Sequence, residues 1–237
     1  MQYIKKHWIA EVVGLVVIIL IAIGCWQYFV EMRVQTVQIN PQDSISSWSF
    51  KGIYTGNDAL TAKANADMPK LTAMIGKGQY PDYDIYVGIA QDYDFIGDGK
   101  SEYQSLEKAI AVGPTGGVAW DNLGVLMEKL GALNTARDAY AKAVAVEPSV
   151  GAYQEAQLRF LTAHFPQDDT AIENAFNNGM KESADANLLP IDAEWLTSTG
   201  STTAAISAWK EFAIYIPAAS PQQSAINQKI AQLKAKQ

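Results

Sequence analysis

The sequence predicts an all-α chain: one N-terminal transmembrane helix followed by a solenoid of helix hairpins. Three observations lead there. Residues 12–30 carry no charge. Beyond Tyr80, helix-length segments alternate with short breaks bearing Gly or Pro, and nothing alternates apolar and polar residues as a half-buried strand does. The breaks also recur: Pro148 follows Pro114 by 34 residues, and Pro217 follows Pro148 by 69, close to twice that.

The first element is residues 1–30. Val12–Val30 spans 19 residues. At about 1.5 Å per residue that is about 28 Å of helix, close to the thickness of a bilayer's hydrocarbon. Trp8 precedes it, and Trp26, Tyr28 and Phe29 occupy its last turns, where aromatic rings suit the headgroup boundary. Lys5 and Lys6 stand before the run, so the positive-inside rule places residues 1–7 in the cytoplasm and the rest of the chain across the membrane. Glu11 is close enough to the edge to reach the interface. No small-x-small cleavage site ends the run. A second reading stays open beside the uncleaved anchor. Ile21-Ala22-Ile23-Gly24-Cys25 resembles a lipobox, with Cys25 as the lipidated residue. Ala22 stands where Leu is usual, and apolar sequence continues past the cysteine.

Residues 31–56 are turn-rich, with Asn40-Pro41, Gly52 and Gly56, and are expected to be a juxtamembrane spacer. Trp48, Phe50, Ile53 and Tyr54 are apolar enough to dock on the helices after them. Residues 57–82 hold a leading helix, capped by Asn57 or Asp58, with Leu60, Ala64, Leu71 and Met74 on one side. Gly76-Lys77-Gly78 ends it.

Residues 83–219 carry the repeats. Trp120, Leu123 and Gly124, then Ala136, Tyr140, Ala143 and Pro148, give residues 117–150 a spacing that strongly resembles the tetratricopeptide repeat, a 34-residue helix hairpin. Met127 stands where that family has a tyrosine. Small residues belong where two helices cross, since a larger side chain would hold the backbones apart. Residues 83–116 resemble the unit more loosely. Tyr86, Ile89, Ala90 and Tyr93 form one face and Leu106, Ala109 and Pro114 the other, while Glu102 stands where a small residue is expected and should loosen that crossing. Residues 150–185 keep the helix pair without the signature. Residues 186–219 recover its second half in Ala205, Trp209, Phe212 and Pro217. Residues 220–237 are a capping helix, opened by Ser220, Pro221 and the capping-box residue Gln223.

Composition excludes several functions. The 237 residues carry a formal charge of −7, and after position 30 there are 16 basic and 24 acidic residues, net −8. That opposes a protein built to grip nucleic acid phosphates. One cysteine excludes an intrachain disulfide, and two histidines leave little for catalysis or a metal. Asp82, Asp84, Asp92, Asp94 and Asp98 fall in 17 residues, but neither Asp92 nor Asp94 starts a calcium loop with the required acids and closing glutamate. A solvated acidic face with Asp98 as a helix cap is the expectation. Gly113–Gly117 lacks the Lys-Ser/Thr pair of a phosphate loop. No catalytic residue, cofactor or metal site is assigned, and the chain is expected not to be an enzyme.

What the resemblance implies is a groove lined by the first helix of each pair, used in that family to hold peptides or partner domains. Val87, Gln91 and Asp94 of the looser repeat and Asp121, Val125, Glu128 and Lys129 of the clear one are the candidate lining. The family's clamp for a C-terminal carboxylate is not matched, since Asn122 alone resembles a part of it. The expected role is a single-pass scaffold in the cell membrane, its C-terminal domain extracytoplasmic, holding a protein partner in envelope assembly, secretion or pilus biogenesis. The alternatives are a structural subunit of a homo-oligomer or filament, and an accessory subunit of an envelope enzyme.

Overall fold

Helix caps and glycines at the breaks decide where each helix starts and stops. In the computed structural model, which describes residues 37–237, the order is α1 Asp58–Met74, α2 Asp82–Ile96, α3 Gly99–Val112, α4 Gly117–Lys129, α5 Leu133–Val146, α6 Gly151–His164, α7 Asp169–Glu182, α8 Leu188–Ser198, α9 Thr202–Ala213 and α10 Pro221–Lys234. No strand occurs among the described residues; Ser49 and Asp98 form one isolated bridge. The proposed anchor at 12–30 and Cys25 lie outside the described residues, among which no helix is long and apolar enough to cross a membrane.

Asn57, Asp98, Asp168 and Ser220 each accept a hydrogen bond from the backbone N–H three residues on, at 3.1–3.2 Å. This satisfies donors that the first turn of a helix leaves free. Gly97 and Gly131 end α2 and the α4 turn with φ of 80° and 75°, a left-handed conformation that costs a residue with a Cβ. The Gln223 side chain does not close a capping box. Its amide, oriented to donate, reaches the carbonyls of Ala213 and Ile216 at the end of α9.

The hairpins are α2–α3, α4–α5, α6–α7 and α8–α9, with α1 packed on α2 and α10 on α9. The signature residues Trp120, Leu123, Gly124, Ala136, Tyr140 and Ala143 are all buried, and Pro148 follows the end of α5. A Cβ on Gly124 would lie 2.7 Å from the Tyr140 ring, so the hairpin closes onto an aromatic face where only hydrogen fits. Residues 117–150 therefore form a tight helix hairpin with its small residues at the crossing, as their spacing implies. Helices α2 and α3 pack as extensively as α4 and α5, so Glu102 does not loosen its crossing; its carboxyl is buried within it instead.

A main core runs from α2 to α8. A second cluster joins Leu189, Ala205, Trp209 and Phe212 to Ile226, Ile230 and Leu233 of α10. The Phe212 ring lies beside Trp209 in this second core.

First helices of successive hairpins touch one another, α2 with α4, α4 with α6 and α6 with α8, whereas α3 and α5 make no comparable packing. The stack therefore curves with its first helices inside. The gap outside is taken by residues 37–56, which form a strap more ordered than a spacer. Val37 is buried there, and its carbonyl accepts the Tyr103 hydroxyl at 2.9 Å. Trp48 meets Tyr103 edge-on at 5.3 Å, Gly99 N–H donates to the Trp48 carbonyl, and Tyr54 packs on Phe95 at 4.8 Å. Ile53 is a correction: it is 73% exposed, since the strap turns outward at residues 53–56 after Gly52 passes tightly over Phe95. Leu60 is another, being exposed: α1 has only α2 to pack on, and Ala64 and Met68 take that contact.

Candidate protein-binding surface

The inner face is built from α2, α4 and α6. Within it the candidate residues divide into two groups by what they meet.

The first group lies between α2 and α4. Gln91, Asp94, Asn122 and Val125 line a small cavity of about 40 Å³, with Glu102 of α3 as the fifth wall. Asp94 Oδ1 is ion-paired with Lys129 Nζ. Lys129 also lies 4.9 Å from the centre of the Phe50 ring, so the strap helps to place it. Glu102 is 3% exposed, and its Oε2 accepts no hydrogen bond. Burial, and then the nearby Asp94 carboxylate, raise its pKa to about 8; Lys129 opposes the rise and Asp98 adds to it. Val87, half-buried, packs against the main core one turn earlier on α2.

The second group faces α5 and α6. Glu128 accepts the Tyr140 hydroxyl at 2.9 Å on one oxygen and meets His164 Nε2 at 2.8 Å on the other. Asp121 is half-buried, its Oδ1 accepts no hydrogen bond, and burial lifts its pKa to about 6. The acids of this face are thus partly committed to holding hairpins together. The acidic run on α2 is similar: Asp82 accepts from Gly76 N–H, Asp94 pairs, and Asp98 caps α3. No group of three or more His, Cys, Asp or Glu suited to a metal occurs among the described residues.

Two residues near this surface, His164 and Glu102, lie outside the candidate lining. His164 belongs to a turn by its neighbours Phe165-Pro166, yet it ends α6, leans on Phe160 at 5.0 Å and reaches Glu128, a contact 36 positions apart that no local signal reveals. Glu102 has a signal: it stands 34 residues before Ala136, which is 0% exposed at the same place in the next hairpin. A residue of the same burial but of acidic type marks an ionisable group inside a helix crossing.

A further cavity of about 390 Å³ lies between α6, α8, α9 and α10, lined by Trp209, Phe212, Ile226 and Pro190 with Arg159 and Lys229 at its rim. Both cations already have carboxylate partners, Glu155 and Glu194.

No family model matches the chain, and no curated protein matches it. Among solved structures the chain is similar to a thermophilic tetratricopeptide protein of Thermus thermophilus, at 14% identity and a TM-score of 0.48, over 77% of this chain and 97% of that one.

Proposed function

We propose that this chain is a non-enzymatic scaffold or adaptor, anchored in the cell membrane by residues 8–30, whose inner helical surface holds a segment of another protein outside the cytoplasm. The observation that carries the reading is the packing of first helix on first helix from α2 to α8, which makes one continuous inner face. That face carries polar side chains, Gln91 of α2 and Asn122 of α4 among them. The uncharged run at 12–30 and Lys5/Lys6 support the anchor and its orientation. Envelope assembly, secretion and pilus biogenesis are the processes in which such a layout would serve.

Photo-crosslinking in native membranes tests the reading. A photoreactive residue at Val125 on the inner face should capture a distinct protein, and one at Lys142 on the outer side should not. Self-products alone, or equal capture at both positions, would replace the adaptor by a self-assembling subunit. Protease added to spheroplasts should degrade the repeats; protection until lysis would reverse the topology.

A further inference from the structure

Seven large apolar side chains are exposed among the described residues, and five of them, Tyr80, Val112, Val118, Ile214 and Tyr215, flank or occupy turns on one edge of the stack. We propose that this edge, where each hairpin hands on to the next, rests on the lipid headgroup boundary of the membrane that holds residues 8–30. The proposal goes beyond the scaffold reading and rests on its anchor.

Contacts between neighbouring turns establish the edge. A Cβ on Gly113 or Gly116, between α3 and α4, would lie 2.5 or 2.3 Å from the Tyr83 ring at the start of α2. The Tyr83 hydroxyl accepts the Ala119 N–H at 3.0 Å. Gly117 at the start of α4 meets the ring of Tyr153 at the start of α6 in the same way, and Gly151 meets Asp185 of the α7–α8 turn. Asn187 and Pro190, where α8 begins, share a cavity with Phe212 and Gln222 on either side of the α9–α10 turn. The turns before α2, α4, α6, α8 and α10 therefore line up on one side.

The strap turns that side towards the anchor. Asp43 caps the first turn of α5, Asn40 bonds Thr135 and Asp138, and Val37 lines a cavity with Ala139 and Lys142. From Asp43 back to Val37 the strap thus runs along α5 towards the end of that helix, which lies on the edge. Lys142 is four residues before Val146, about 6 Å along the axis. Seven residues separate Val30 from Val37, a reach of about 25 Å at most. The tether therefore holds the repeats close to the bilayer with this edge foremost.

The exposed groups suit a lipid boundary. Segments 112–118 and 214–220 contain no charged residue, so no ion there loses its hydration on contact. Tyrosine sets its ring among the upper methylenes and its hydroxyl among the headgroups. Tyr80, Val112 and Val118 form one group and Ile214 and Tyr215 another, with the turns of Glu147 and Asp185 between them. Those two acids already accept the Gly117 N–H at 3.2 Å and the Asn187 N–H at 2.9 Å. A protein interface concentrates its energy in one central cluster, whereas a bilayer is a broad plane that two separate groups can touch. Beside the groups, Lys77 and Lys210 are offset by Asp82, Asp84 and Glu211, so the attraction is apolar and zwitterionic lipid suffices. The repeat helices run from one edge to the other, so they stand upright on the membrane and the inner face opens sideways.

The test uses the full-length chain in phosphatidylcholine vesicles that contain a lipid with a nitroxide on its headgroup. In a Cys25→Ser background, a fluorophore is attached at Thr115→Cys or Ala218→Cys on the edge, or at Gln167→Cys in the exposed α6–α7 turn opposite. Emission at 115 and 218 should be quenched by the nitroxide and that at 167 should not, with no change as salt is raised. Ile214→Ser with Tyr215→Ser should bring quenching at 218 down to the level at 167, and Val112→Ser with Val118→Ser should do so at 115, with helical circular dichroism unchanged. Equal quenching on both edges, quenching that survives the serine pairs, or quenching that salt abolishes would overturn the proposal. Crosslinks from 115 or 218 to a second protein in native membranes, with both labels unquenched in vesicles, would reassign the edge to a protein. A chain that does not float with the vesicles would fault the anchor and this proposal with it. One that floats with its edge labels unquenched faults the edge alone and leaves the scaffold reading standing.

Discussion

Asp43→Ala should detach the strap from the repeats and lower stability more than a surface substitution does. Asp43 is a helix cap supplied from 91 residues away. Helix α5 begins after Ala132, which has no side chain able to cap it. Asp43 fills the role: Oδ1 accepts from Asn134 N–H at 3.2 Å and Asn134 Nδ2 at 2.8 Å, and Oδ2 from the Thr135 N–H and hydroxyl, both at 2.7 Å. Loss of an N-cap costs about 0.5–2 kcal/mol. Thr135 is 3% exposed, so leaving its donors unmet adds about 1–3 kcal/mol. The two overlap, and a loss of about 2–3 kcal/mol at pH 7 is expected. Asp43→Asn keeps an acceptor but not the charge favoured at a helix N-terminus, and should lose about half as much.

The same contact sets a pH dependence. Burial pushes the Asp43 pKa up, but the hydrogen bonds from Thr135 and Asn134 outweigh it and the net direction is down. A carboxyl with a depressed folded pKa stabilises the fold above its unfolded value, near 4, and that contribution fades as pH falls through the folded one. Urea titrations of the full-length chain in detergent at pH 7 and pH 3, followed by tryptophan fluorescence, should show the Asp43→Ala deficit shrinking at the lower pH. Hydrogen exchange at the Asn134 and Thr135 amides should accelerate in the variant. A deficit below about 0.5 kcal/mol with unchanged exchange at Thr135 would refute the capping role.

Gly124→Ala places a Cβ 2.7 Å from Tyr140, whose ring is held by Glu128 at its hydroxyl and by Phe160 at 5.0 Å. Overpacking of about 1–3 kcal/mol should exceed the gain of about 1 kcal/mol in helix propensity, lowering Tm by several degrees; a raised Tm would mean that α5 can retreat from α4. Glu102→Gln should flatten the pH dependence of stability between about 4.5 and 8. A carboxyl whose folded pKa is raised to about 8 costs stability as pH climbs above the unfolded value, because the unfolded chain ionises first. The variant should overtake the parent by up to a few kcal/mol near pH 8, and parallel pH profiles for the two proteins would count against a protonated Glu102.

The hairpins were legible because side-chain volume is written into single positions. Gly124, Ala136 and Ala143 are small where backbones cross, Trp120, Leu123 and Tyr140 are large where space must be filled, and all six are buried as their spacing implies. Asn57, Asp98 and Ser220 were readable as cap residues because a cap acts on the next few residues of its own chain. The strap was legible only in part. Trp48 and Phe50 announced themselves as docking residues by their size, but Asp43 and Asn40 hold α5 through polar contacts 91–95 residues distant, and nothing local marks a surface aspartate as another helix's cap. The failures at Ile53 and Leu60 have the same origin, since apolar character does not say which side of an end helix or a strap finds a neighbour.

Asp43 and Glu102 show what the candidate surface turns on. Glu102 is buried and Asp43 half-buried, and burial pushes both toward the neutral form. Asp43 lies among four N–H and O–H donors fixed by the start of α5, so its charge is solvated by the protein and it stays ionised. Glu102 has no donor at its shielded oxygen, and Asp94 and Asp98 repel its charge more than Lys129 relieves it. The protein has supplied donors to one acid and left the other without one at its shielded oxygen, inside the α2–α3 crossing. Glu102 is therefore held toward its neutral form by its surroundings, while Asp43 is held charged by its donors.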